Sequence, residues 1–203
     1  MAIPINKEFW EQKHNEHSPW LTGTDFHSLL RQFNLTQDNF KNKKVLEIGT
    51  GHGICSRAIS SIAGELYCCD ISKSALTKVK DFAQQTFLTT DIAQIPAVDL
   101  AICHLVFVHC TDQEMLRIIN EVTLAQGGRF MFHCSGLKNN VLTDMAKTRL
   151  VDDGSHFFRS IDATKDIIAQ SNKKLVTVSD PVDILHAGWF DHQWYYVTVE
   201  NNN

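Results

Sequence analysis

From Lys44 onward, short apolar runs alternate with stretches of helical periodicity, whereas residues 1–40 are polar with scattered aromatics: Phe9, Trp10, Trp20, Phe26, Phe33 and Phe40. The alternation predicts a strand over residues 45–48, closed by glycines, and a helix over residues 54–63. A second strand is expected at Glu65–Asp70, followed by a helix that Ser72 caps and that runs to about Gln84. Residues 86–90 supply a third strand and Val98–Cys103 a fourth. Thr111 and Glu114 then have the spacing of a capping box, opening a helix expected to reach Gln126. Gly127 and Gly128 are expected to end it and release a fifth strand over residues 129–134. Further on, a helix near residues 162–170 leads to strands at 174–178 and 193–199, joined by a loop containing Pro181 and Gly188. With no helix between them, these two strands read as a hairpin that closes the sheet with an antiparallel strand. In the N-terminal stretch, Thr24 followed by Asp25 marks a helix start.

Strands and helices alternating at this length imply right-handed crossovers and a mostly parallel sheet covered on both faces. The expected fold is therefore α/β and doubly wound, with a mostly parallel seven-stranded sheet, an antiparallel closing strand and N-terminal helices. One domain spans residues 1–203. It divides into a helical cap (1–40), a ligand-binding core (41–135), and a lid segment with the closing hairpin (136–203).

Composition narrows the function classes. The chain has 203 residues, 43% hydrophobic and 21% charged, which fits one globular domain and excludes disordered or fibrous classes. Nineteen Lys and Arg against 23 Asp and Glu give a net charge of −4. That balance offers a polyanion no basic funnel, so no nucleic-acid partner is expected. No apolar run is long enough to span a bilayer, and the first residues lack the build of a secretion signal. No membrane association is expected, and a cytoplasmic location is. The six cysteines, Cys55, Cys68, Cys69, Cys103, Cys110 and Cys134, fall mostly in apolar runs and read as reduced core thiols. Neither they nor the ten histidines show metal-ligand spacing, so no metal is expected.

The chemistry should stand at the carboxyl ends of the strands, where open α/β sheets bind ligands. The first strand runs into Glu47-Ile48-Gly49-Thr50-Gly51-His52-Gly53. Asp70 ends the second strand and Asp91 the third, one βα unit apart each, so the three carboxylates converge on one edge. A carboxylate placed as Asp70 is accepts hydrogen bonds from a ribose diol. The glycine spacing is G-x-G-x-G, and Glu47 sets an anion where a pyrophosphate would lie. Both features favour a nucleoside ligand without phosphates.

These residues carry a resemblance. Val45 to Gly53 is similar to the first motif of class I S-adenosylmethionine-dependent methyltransferases. Asp70-Ile71, Asp91-Ile92, the run from Val98 to His104, and Gly127 to Phe130 fall where that family's later motifs fall. The resemblance is strong over residues 43–133 and implies a Rossmann-like fold. It implies that Glu47, Gly49, Thr50, Gly51 and Gly53 hold the methionine moiety and that Asp70 binds the ribose. Ile71, Asp91 and Ile92 would frame the adenine, Cys103 and His104 would pass beneath the cofactor, and Trp20 would lie in a loop over the site.

The implied activity is methyl transfer from S-adenosylmethionine to a small-molecule acceptor, leaving S-adenosylhomocysteine. The acceptor atom expected is a hydroxyl of a sugar or secondary metabolite. Its proton needs a base, and His104 and His109 beyond the fourth strand are the candidates, with His133 and His156 further possibilities. The Asn/Asp-Pro-Pro-Tyr/Phe motif of nucleobase-methylating relatives is absent after strand four, where the chain reads Cys103-His104-Leu105-Val106. Nor does a Tyr-x-x-x-Lys pair support a nicotinamide reductase. The alternatives that stay open are a cofactor-binding protein without catalysis and a protein or RNA acceptor; the expected assembly is a monomer or homodimer.

Overall fold

The computed structural model describes residues 7–16, 25–137, 148–150, 157–183 and 192–202. Its main sheet has the order β3-β2-β1-β4-β5-β10-β8. These strands are β1 (Lys44–Ile48), β2 (Glu65–Asp70), β3 (Gln85–Leu88), β4 (Val98–Cys103), β5 (Leu124–Leu137), β8 (Lys173–Val178) and β10 (His192–Asn201). A two-residue strand, β9 (Val182–Asp183), also pairs with β10, and β6 (Thr148–Leu150) pairs with β7 (Phe157–Arg159) as a separate ribbon. The first five strands are parallel to their neighbours, while β10 runs antiparallel to both β5 and β8. The closing antiparallel strand is thus β10, and it sits inside the sheet, leaving β8 at the edge.

Six α-helices accompany the sheet among the described residues: α1 (Lys7–Asn15), α2 (Phe26–Gln32), α3 (Ile54–Ser60), α4 (Lys73–Val79), α5 (Asp112–Glu121) and α6 (Ile161–Ala169). Their starts follow local hydrogen-bonding chemistry. Asp25, Ser72, Thr111 and Ser160 each accept a backbone N–H of the first turn, and Thr111 with Glu114 completes the capping box.

Strand side chains alternate between faces. Leu46, Ile48, Ala101, Cys103, Phe130, Phe132 and Val197 pack with Met115 and Ile118 of α5 and Ile167 of α6. On the opposite face, Val45, Leu66, Leu100, Ile102 and Tyr196 pack with Phe26, Leu29 and Phe33, and with Ile59 of α3. All six cysteines are buried, and none is in a disulfide. No helix among the described residues is long and apolar enough to cross a membrane.

Three helices end earlier than expected: α3 at Ser60 rather than residue 63, α4 at Val79 rather than about Gln84, and α5 most consequentially. Helix α5 stops at Glu121 instead of Gln126, because β5 begins at Leu124 and the glycine pair lies within the strand. The pairing of β4 with β5 shifts register there, and Gly127 adopts a left-handed φ of +72°. A side chain on Gly128 would come within 2.7 Å of the Val98 carbonyl oxygen. The pair therefore serves a β-bulge that keeps β5 against β4.

Candidate cofactor site

The turn from Gly49 to Gly53 leaves the carboxyl end of β1 and opens α3. Gly49, Gly51 and Gly53 all have positive φ, at 79°, 51° and 77°. At Gly49 the need for glycine is also steric, since a Cβ would meet Val106 Cγ2 at 2.1 Å. The turn is therefore pressed against the loop that follows β4.

Asp70 ends β2 beside this turn with 5% exposure. Its carboxylate accepts the Gly51 N–H at 3.0 Å and the Ser72 N–H at 2.9 Å. Burial raises its pKa to about 6, against the opposing pull of the Ser72, Gly51 and Ile71 N–H groups. Glu47 lies one layer deeper and accepts a hydrogen bond from the Ser56 hydroxyl of α3. Burial lifts this carboxyl to about 8; the Ser56 hydrogen bond opposes the rise and the charge of Asp70 adds to it. Two neighbouring acids with depleted solvation favour a positively charged ligand over a phosphate. Thr50 adds a buried hydroxyl with no protein partner.

The remaining predicted residues fall around the same edge. Ile71 follows Asp70 and is half-buried. Strand β3 ends at Leu88, so Asp91 stands in a 3-10 turn (Thr89–Gln94), where it accepts from Gln94 at 3.3 Å. The Ile92 and Cys103 side chains are fully buried in the core, so these residues can face a ligand only through their main chains. His104 leaves β4 immediately before Leu105, whose φ of +58° turns the chain sharply at a cost of roughly 1–2 kcal/mol. Trp20 and His156 lie outside the described residues.

The structure separates the two candidate bases. His109 lies against Trp10 of α1, ring centroids 4.7 Å apart. His104 instead faces Phe33 at 5.8 Å, His133 at 5.5 Å and Trp194 at 6.4 Å. Burial drives its pKa down to about 4.

Helix α1 lies across all of these loops. Glu11 accepts from the Ser72 hydroxyl at 2.9 Å and the Ser74 N–H at 3.1 Å, Lys78 donates to the His14 carbonyl, and His14 packs on His52 at 5.6 Å. The sequence pattern did not expose Glu11; the serines at the start of α4, Ser72 at its cap and Ser74 in its first turn, were the only signal. Phe9 is 39% exposed. Phe157 and Phe158 are buried packing residues. Arg159, also missed, is buried and holds the loop after β4. It donates to Phe107 O at 2.8 Å, to Cys110 O, and to Asp112 at 2.8 Å.

Residues 45–128 match the family described as a methyltransferase domain. Over that stretch the chain is similar to methyltransferase domains. Solved structures with the same fold include the N-methyltransferase NodS from Bradyrhizobium japonicum WM9 in complex with S-adenosyl-L-homocysteine. It is 16% identical with a TM-score of 0.66, over 97% of this chain and 98% of that one. The magnesium protoporphyrin IX methyltransferase ChlM from Synechocystis PCC 6803, with bound S-adenosylhomocysteine, is 14% identical over 97% and 98% of the two chains, with a TM-score of 0.65. A complex of DhpI with S-adenosylmethionine gives 16% identity and a TM-score of 0.65 over 95% and 94%. At these identities the fold is what this chain shares with them. No curated protein matches the sequence.

Proposed function

We propose that this domain transfers the methyl group of S-adenosylmethionine to a hydroxyl of a small-molecule acceptor. The observation that carries the reading is the buried Asp70 carboxylate beside a turn of three positive-φ glycines. The pocket fits the donor on two counts. A sulfonium and an ammonium would be stabilised by the Asp70 carboxylate, and a ribose diol would find Asp70 at hydrogen-bonding depth. The methionine moiety would rest on the main chain from Gly49 to Gly53 with Thr50 as a hydroxyl partner. Adenine would lie between Ile71 and the main chain at Asp91 and Ile92, over that of Cys103.

Bound S-adenosylmethionine supplies an electrophilic methyl group on sulfur. The chain's task is to hold an acceptor oxygen in line with that carbon and to receive the hydroxyl proton. As the O–C bond forms, the C–S bonding pair returns to sulfur and the proton goes to an imidazole, His104 or His109. His104 is favoured, because its Nε2 is buried without a protein partner.

Calorimetric titration with S-adenosylmethionine, S-adenosylhomocysteine and NADH tests the reading. Micromolar binding of the first two and none of NADH is expected; binding of NADH alone would overturn it. With an acceptor in hand, His104→Gln should lower turnover about 10²-fold or more at unchanged cofactor affinity, and His109→Gln far less.

A further inference from the structure

Helix α1 is nine residues long, too short to be stable by itself in water, and it carries no aliphatic residue to anchor it. Of its side chains only His14 is buried; Trp10 is half-buried and Phe9 exposed. What holds the helix is largely polar. The Glu11 carboxylate accepts the Ser72 hydroxyl at 2.9 Å, the Ser74 N–H at 3.1 Å and the Ser74 hydroxyl, and Lys78 Nζ donates to the His14 carbonyl at 2.9 Å. A helix docked by so few buried apolar contacts belongs to the least stable part of a fold, where docked and released arrangements lie close in free energy.

Three of its side chains each meet a different loop of the candidate cofactor site. His14 lies against His52 in the glycine turn, Glu11 on Ser72 and Ser74 after β2, and Trp10 against His109 after β4. Ser72 is where these contacts reach Asp70. It has no exposed surface and its polar groups are all in use. Its N–H donates to the Asp70 carboxylate at 2.9 Å, its Oγ accepts the Ala75 N–H at 3.2 Å, and its hydroxyl proton goes to Glu11. Ser72 thus stands between two carboxylates, Asp70 on its main chain and Glu11 on its side chain. When α1 leaves, a buried hydroxyl loses its acceptor, which is costly to leave unmet. The start of α4 then has to readjust, and with it the N–H on which Asp70 rests. Charge alone works the other way: burial is the main cause of the raised Asp70 pKa, and the charge of Glu11 adds to it.

We infer that Glu11 is a positioning residue for the donor nucleoside: acting through Ser72, it ties the docking of α1 to the orientation of the Asp70 carboxylate. The helix and the nucleoside therefore each bind more tightly when the other is in place. This rests on the S-adenosylmethionine reading above and adds a control on that same site. By linkage the two effects are one coupling free energy, so the factor by which docked α1 raises affinity equals the factor by which bound nucleoside favours docking.

The test measures that factor from both sides on the full chain, with S-adenosylhomocysteine as the probe. Calorimetry should find affinity about tenfold weaker in Glu11→Ala and within about threefold of the parent in Glu11→Gln, whose amide oxygen still accepts from Ser72 and Ser74. In an Asp70→Asn background, Glu11→Ala should cost less than about twofold more, because the route through Asp70 is already cut. Hydrogen exchange of the α1 amides should slow by about the same tenfold when the parent is saturated, and respond little in Glu11→Ala. A clamp that only stabilises the fold would lower the melting temperature of Glu11→Ala and leave its affinity unchanged, whereas a purely electrostatic role would tighten its binding by relieving Asp70. Either result, a full tenfold loss in the Asp70→Asn background, or α1 exchange indifferent to the ligand overturns the inference and leaves the S-adenosylmethionine reading standing. Failure of S-adenosylhomocysteine to bind the parent overturns both.

Discussion

Replacing Arg159 by Met should destabilise the protein by about 3–5 kcal/mol, and the hydrogen bonds of the guanidinium say where that figure comes from. With 1% exposure, the side chain donates to two main-chain carbonyls, Phe107 O and Cys110 O, and to Asp112. Met fills most of the volume, so the cavity contribution is small. Losing a charged donor costs the Cys110 carbonyl roughly 1–3 kcal/mol, and the Phe107 carbonyl, which still accepts the Cys110 N–H, loses a charge-assisted bond of roughly 1.5–3 kcal/mol. The Asp112 ion pair contributes at most about 1 kcal/mol, because that carboxylate is 48% exposed and screened by solvent. For a chain of this length the sum corresponds to a fall in melting temperature of about 6–20 °C. Equilibrium urea unfolding followed by circular dichroism, with the slope checked for constancy, reads the loss directly. Asp112→Asn is the control and should cost no more than about 1 kcal/mol. A loss below about 1 kcal/mol for Arg159→Met, or an equal loss for Asp112→Asn, would refute the assignment of the stabilisation to the two carbonyls.

Three further outcomes are expected. Asp70→Ala should weaken S-adenosylmethionine binding by about 1.5–3 kcal/mol in calorimetry, and unchanged affinity in a folded variant would remove the ribose assignment. Glu47, raised in the folded state to about 8 from 4.5, favours folding most below pH 4.5 and loses that contribution as pH rises through 8. Glu47→Gln should therefore gain urea stability relative to the parent between pH 5 and pH 8, and a pH-independent difference would contradict a protonated Glu47. The six thiols should resist a chromogenic disulfide reagent in the native protein and react together only on unfolding, because all are buried; rapid labelling of any one under native conditions would count against its burial.

Much of the sheet was legible because its determinants are local. Short apolar runs such as Val98–Cys103 and caps at Ser72 and Thr111 act within a few residues, and glycines after β1 announce a turn whatever surrounds it. Gly127 and Gly128 misled for the same reason: a helix C-cap and a bulge ask for the same residue, and only the register of β5 against β4 decides between them. The candidate site divides likewise. Asp70 and the glycine turn share one edge by topology alone. Glu11 reaches Ser72 across 61 residues, and Arg159 reaches Phe107 across 52, so no spacing rule exposes either. Arg159 did leave one trace, a lone cation at the end of Phe157-Phe158, where an unpartnered charge would be too costly to bury.

The place of β10 bears on how the chain is made. It pairs with β5 on one side and β8 on the other, yet follows both in sequence. During synthesis the slot between them stands open until residues 192–201 emerge, with the edge of β5 unpaired and the aromatic side chains of Phe130 and Phe132 incompletely covered. The nascent protein therefore passes through a stage exposed to wrong pairing, such as β8 against β5 directly or either edge against another chain. Sheet closure is a late, long-range step, and slow synthesis or truncation before residue 192 should send product to aggregates rather than to a smaller folded form.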